Sequence, residues 1–268
     1  MTLPEAWTSF LPPLMGFYKS EYTVSYGYGF ATAWTAFSLW KRGLATTTSA
    51  PLLTLHAMAL VFYGVRLNLF LAIRTVLSKR IQQFNDNVEE RALAKGNRFQ
   101  TRAPFILSCG LLYYGLCAPI MLTSQWLAST TTTCAITKTV LQSLFGLQWF
   151  GFLLAAVGDL TKTWVKQSQQ NESFLVTSGI FSLVRHPNYT GEIIGWTANA
   201  GAGMLATALL LLGGSVNSWT KTLSILGKFA AMVVGWAGIL FVLLRATNGL
   251  ETRQAQDYGS DPKYQPWV

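Results

Sequence analysis

Six long apolar runs, separated by polar stretches, constrain what this chain can fold into more than any other feature. They cover roughly residues 23–40, 51–73, 104–126, 139–157, 188–212 and 223–244. A bilayer's hydrocarbon core is about 30 Å thick and a helix rises about 1.5 Å per residue, so roughly 20 apolar residues cross it. Lipid offers no hydrogen bonds to an exposed backbone, and runs of this length satisfy their own N–H and C=O groups only as helices. The expected fold is therefore all-α, a polytopic membrane bundle with about six transmembrane helices forming one domain over 1–268. Around the runs stand an interfacial lead (1–22), polar loops at 74–103 and 158–187, and a polar tail (245–268). The first run differs from the rest, being aromatic, Gly-containing and closed by Lys41-Arg42.

Charge supports this reading. Only 12% of the 268 residues are charged, about half the usual share. The net charge of +9 does not point to nucleic acid, because the basic residues are spread through loops rather than gathered on one face. Fourteen Lys or Arg fall in the lead, the loops after the second and fourth runs, and the tail, against four (Lys41, Arg42, Lys138 and Lys221) in the opposite loops. The positive-inside rule then places both ends on the cytoplasmic or matrix side. Cys109, Cys117 and Cys134 have no metal-ligand spacing, so neither a metal site nor a disulfide framework is expected. The segment from Met1 to Phe10 has neither the basic, apolar plan of a signal peptide nor the Arg-rich plan of a transit peptide.

One stretch concentrates chemistry. In Arg185-His186-Pro187-Asn188-Tyr189-Thr190-Gly191-Glu192 a cation, an imidazole, an amide, a phenol and a carboxylate fall within eight residues. Pro187 fixes its own φ and drives His186 out of the helical region, so Arg185-His186 forms a turn that opens the fifth run. The unpaired N–H groups and positive dipole end of that helix favour an anion, and Arg185 adds a charge suited to phosphate. Glu192 follows Tyr189 by three residues, on the same helix face. A carboxylate at membrane depth is costly and reads as functional by default.

Three other segments bear on the site. Asp159, Lys162 and Lys166, spaced by three and four, form one polar stripe on a helix leaving the membrane. The second run holds His56, Tyr63, Arg66 and Asn68. Arg66 needs a partner within the bundle and Glu192 offers one, whereas His56 reads as a packed histidine rather than a proton donor. The tail carries Glu251, Arg253 and Tyr264.

The words Arg185-His186-Pro187-Asn188-Tyr189 and Gly191-Glu192 resemble the signature of the steroid 5-alpha-reductase and sterol-reductase superfamily, in particular its reductase-like membrane branch. Tyr63-Gly64-Val65-Arg66-Leu67, the stripe from Asp159 to Lys166, and the tail from Glu251 to Tyr264 are similar to further words of that superfamily. The resemblance implies an integral membrane reductase that uses NADPH on a double bond of a sterol-like or other lipid substrate. It implies cofactor contacts at Asp159, Lys166, Arg185, His186, Asn188, Tyr189, Glu192, Glu251, Arg253 and Tyr264, and catalytic roles for Tyr189, Glu192 and Tyr63. Steroid reductases of this kind use a Tyr and an acidic residue on the substrate carbonyl, and the second run here has no carboxylate to supply. The related isoprenylcysteine carboxyl methyltransferases share an Arg-His-Pro word, so an S-adenosylmethionine-dependent methyltransferase of a lipidated substrate is the alternative. A non-catalytic accessory subunit of a larger membrane complex is a third reading. The expected partners are a lipid substrate and membrane lipids, with no nucleic acid. The expected location is the endoplasmic reticulum membrane, or alternatively the mitochondrial inner membrane.

Overall fold

A computed structural model describes residues 3–44, 50–96, 98–130, 134–171, 174–213 and 218–267. Its helices are α1 (Leu3–Phe10), α2 (Tyr26–Gly43), α3 (Ala50–Leu77), α4 (Lys79–Leu93), α5 (Arg98–Ser129), α6 (Ala135–Ser168), α7 (Pro187–Leu212), α8 (Trp219–Tyr258) and α9 (Tyr264–Trp267), with short 3₁₀ turns at Pro12–Phe17, Ser20–Thr23 and Gly179–Ser182. Among the described residues there is no strand, and the fold is an all-α polytopic membrane bundle.

Five helices, not six, are long and apolar enough to cross a membrane among the described residues: Pro51–Leu77, Phe99–Ser129, Ala135–Ser168, Pro187–Leu212 and Trp219–Tyr258. The expected first span forms α2, whose Gly, Thr, Tyr and Trp content, with Lys41-Arg42 inside its last turn, keeps it below that threshold. It still lies along α3: a Cβ on Gly43 would touch Leu53, and one on Gly29 would touch Gly64 and Asn68. These contacts make α2 antiparallel to α3 over most of the depth of that span. The lead buries Thr8, Ser9, Pro12 and Pro13, and a buried hydroxyl chain runs from Ser9 and Thr8 to Thr35 of α2 at 3.2 and 2.8 Å.

Helix ends differ from the apolar runs because polar residues continue a helix past the lipid. α6 extends to Ser168 and α8 to Tyr258, so the stripe from Asp159 to Lys166 and Glu251 all stand on rigid helices. α5 begins at Arg98 rather than Pro104, which falls inside the helix, as neighbours in membrane bundles allow. The loop at 74–103 folds mostly into α4, started by Ser78, whose Oγ accepts from Ile81 N at 3.2 Å.

Close packing is set by glycines. α6 and α7 run antiparallel in contact: a Cβ on Gly151 would meet Gly191 O and Gly195 N at 2.5 Å, and one on Gly191 would meet Gly151 O at 2.3 Å. α5 and α8 approach in the same way at Gly115 and Gly235. Lipid removes the hydrophobic drive for helix association, and small residues replace it by letting backbones touch. Between α3, α6 and α7 lies a fully buried aromatic core of Tyr63, Phe145, Phe152 and Trp196, with Tyr63 against Phe152 at 4.5 Å and against Trp196 edge-on at 5.1 Å.

Candidate functional site

Because α3 runs antiparallel to α7, Tyr63 and Arg66 meet Glu192, and α6 adds Asp159 from the third side. Tyr63 Oη donates to Glu192 Oε2 at 2.9 Å. Arg66 Nη1 donates to Asp159 Oδ2 at 2.6 Å, and its Nη2 stands 3.6 Å from Glu192 Oε1. The guanidinium also lies over the Tyr63 ring, 5.2 Å from its centroid. The Arg66, Asp159 and Glu192 side chains are 11–13% exposed, so four groups from three helices form one nearly dry cluster. Glu192 is the partner expected for Arg66, but Asp159 holds it more closely. That pairing joins residues 93 apart in sequence, and no local pattern announces it.

The second cluster closes the start of α7. His186 caps that helix at φ −130° with Pro187 in its first turn, and His186 O accepts from Thr190 N at 2.9 Å. Asn188 N lies 2.8 Å from where a Gly158 Cβ would stand, so the helix start is pressed onto α6. Upstream, Gly179 turns the chain at φ +64°, a conformation that glycine adopts without strain. Arg185 and His186 both bind the Glu251 carboxylate of α8. Trp267 of α9 lies 5.1 Å from the Arg185 guanidinium and its Nε1 donates to Phe181 O at 2.7 Å. Tyr264 is buried beside it.

The candidate residues therefore divide. Tyr63, Asp159 and Glu192 share the first cluster, while Arg185, His186, Glu251 and Tyr264 form or flank the second. Tyr189 is half-buried one turn before Glu192, its ring 6.2 Å from that of His186. Asn188 and Lys166 are half-buried on the same end of the bundle, and Arg253 is exposed on the outer side of α8. Sequence reasoning assigned no part to Trp267, although it closes over Arg185. An aromatic near a chain end carries no signal of what it will stack on.

Several donors in this region lack a hydrogen-bond partner: Arg66 Nε and Nη2, and Arg185 Nε, are all buried and unsatisfied. Buried guanidinium donors of this kind suit an anionic or carbonyl-bearing ligand. An open cleft of about 870 Å³ lies where the start of α4, Asn171, Phe174, Leu175 and the tail meet, lined also by Arg80, Asp257, Tyr258 and Lys263. It offers cations and aromatic rings on the polar side.

No curated protein and no solved structure matches the chain. A family model does match, over residues 23–267, which include both clusters and the helices that build them. The chain belongs to that family, described as protein of unknown function (DUF1295).

Proposed function

We propose that the protein is a membrane-embedded NADPH-dependent reductase of a double bond in a sterol-like or other lipid substrate, within the steroid 5-alpha-reductase-like superfamily that its motifs resemble. The observation that carries this reading is the Tyr63–Glu192 hydrogen bond of 2.9 Å beside Arg66. A Tyr and an acidic residue are what steroid reductases use on a substrate carbonyl. The second run lacks a carboxylate of its own, and α7 supplies one. NADPH, when bound, supplies the hydride. The chain's residues hold and move the proton: Tyr63 Oη donates to the substrate, and Glu192, when protonated, replaces that proton from behind. Arg66 neutralises the carboxylates left in the cluster, and Asp159 fixes the guanidinium. Arg185, His186 and Asn188 at the start of α7, with Arg66 Nε, which has no hydrogen-bond partner, would hold the phosphate-bearing cofactor. The aromatic wall of Phe152 and Trp196 excludes water. Both ends of the chain then face the cytoplasm or matrix, where soluble NADPH is found, with α2 as a sixth crossing. The endoplasmic reticulum membrane is the proposed location.

Titrating the purified protein with NADPH tests this directly, and saturable binding is expected. No such binding, alongside tight binding of S-adenosylmethionine, would replace the reductase with a methyltransferase. Tyr63→Phe and Glu192→Gln should each lower turnover by about 10²–10⁴-fold, the usual worth of a positioned proton donor, while NADPH binding is kept.

A further inference from the structure

A second buried polar cluster lies two helical turns deeper than Tyr63 and Glu192. His56 precedes Tyr63 by seven residues on α3 and Asn199 follows Glu192 by seven on α7, so the register that builds the first cluster builds this one about 10 Å away at about 1.5 Å per residue. Asn199 Nδ2 donates to Leu116 O at 3.0 Å, which leaves Asn199 Oδ1 as an acceptor for His56 Nε2 at 2.8 Å and for Gln148 Nε2 at 3.4 Å. The same bond places the His56 ring proton on Nε2 and makes Nδ1 a bare acceptor. His56 and Gln148 are both 0% exposed, and His56 Nδ1 and Gln148 Oε1 have no partner. Each unsatisfied acceptor at this depth costs free energy that a donor would recover.

Immediately outside lies an apolar groove of about 450 Å³ on the lipid-facing side of α3 and α6, lined by Pro51, Thr54, Leu55, Met58 and Trp149. Leu55 adjoins His56 in the chain and Trp149 adjoins Gln148. Trp149 Nε1 donates to Leu55 O at 2.9 Å, bridging the two helices across the groove. None of the lining residues is charged, so an anionic or cationic head group would be stranded there. What the two orphans have in common is that both accept and neither donates.

From this we infer a binding site for an uncharged lipid bearing a donating hydroxyl. Its apolar body lies in the groove, and its O–H reaches Gln148 Oε1, the orphan next to Trp149, when the Trp149 indole swings off Leu55 O. The site is separate from the Tyr63–Glu192 cluster and stands whether or not a nicotinamide cofactor binds there.

The full chain is placed in nanodiscs of uncharged phosphatidylcholine and labelled with a long-chain primary alcohol carrying a diazirine, or with its methyl ether, which cannot donate. The alcohol is expected to label residues 51–58 and 149 about tenfold more than the ether, the value of one hydrogen bond of about 1.4 kcal/mol. Gln148→Leu should bring the two probes close together, and Trp149→Phe, which removes the bridging N–H, should increase labelling by the alcohol. Equal labelling of the wild-type protein by alcohol and ether overturns the inference, reducing the groove to lipid-facing surface and the cluster to a place for a buried water. That comparison needs no variant, so it decides even if Gln148→Leu fails to fold. A preference for the alcohol that survives in folded Gln148→Leu overturns it as well.

Discussion

Arg66 stands between two carboxylates in a nearly dry setting, and its energetics follow from the asymmetry of the distances. Asp159 is within a strong charge-assisted hydrogen bond at 2.6 Å, while Glu192 is 3.6 Å away and is engaged by Tyr63. Removing Asp159 takes the closest partner from a buried cation and leaves it only Glu192 at 3.6 Å, so Asp159→Ala should cost up to roughly 3–5 kcal/mol. Glu192→Ala should cost less, because Arg66 keeps its better partner. Adding Arg66→Met to Asp159→Ala should recover part of the loss, since the buried cation is gone and Glu192 keeps its hydrogen bond from Tyr63. Thermal melts of the two single variants and the double variant check all three, and a larger loss for Glu192→Ala would show that the 3.6 Å contact dominates. At the lead, burial pushes the Glu21 carboxyl above its usual range, with Asp86 and Glu89 adding to the rise and Lys19 opposing it. A raised carboxyl binds its proton more tightly folded than unfolded, so its contribution to stability is present at low pH and is lost as pH rises through the folded value. Glu21→Gln should therefore raise the melting temperature at neutral pH, and the gain should vanish in acid below the ordinary carboxylate range.

Among the elements, the α6–α7 pair matters most, because it carries Asp159 and Glu192 and seats the start of α7. Its spacing rests on glycine: a side chain at Gly151 would run into Gly191 O and Gly195 N, both backbone atoms at 2.5 Å that cannot move aside alone. Gly151→Val should thus cost about 1–3 kcal/mol or more by forcing the helices apart. It should also weaken the Tyr63–Glu192 contact, since α7 moves as a rod. Melting temperature reports the first effect. The second appears as lost turnover at saturating substrate in protein that is still folded. Gly146 faces open space, so Gly146→Ala on the same helix serves as the control, with little change in either measurement.

For the whole molecule, the chain returns on itself. The tail brings Glu251 and Trp267 back onto Arg185, His186 and Phe181, in contacts that join residues 65 to 86 apart in the chain. Trp267→Ala removes both its hydrogen bond and its stacking on Arg185, and Glu251→Gln weakens the pairing with Arg185 and His186. Each should raise the rate at which a non-specific protease cuts residues 259–267 by roughly tenfold, as local opening becomes more populated. Arg253→Ala, on the exposed side of α8, should leave that rate unchanged. If Trp267→Ala is cut no faster than the wild type, the tail is held elsewhere.

By itself the sequence determined the material of this protein: helices, their approximate places, their insertion in lipid, and the polar words at their ends. Those properties are local, because a run of about 20 apolar residues has one way to satisfy its backbone in a bilayer, and Pro187 suits the first turn of a helix while pushing the residue before it out of the helical region. The word from Arg185 to Glu192 was legible for the same reason, its residues being neighbours in the chain. Five runs became long apolar spans and the first fell short of them, because α2 is short, rich in Gly and Thr, and holds Lys41-Arg42 in its last turn. What only the tertiary structure decided is which residues meet. Asp159 reaches Arg66, Glu192 accepts from Tyr63, and Glu251 binds Arg185 and His186, in pairings that span 65 to 129 residues. Such contacts are set by which helices lie side by side and at what offset. That choice belongs to the packing of glycine and aromatic faces across the bundle, and no single stretch of the chain contains it.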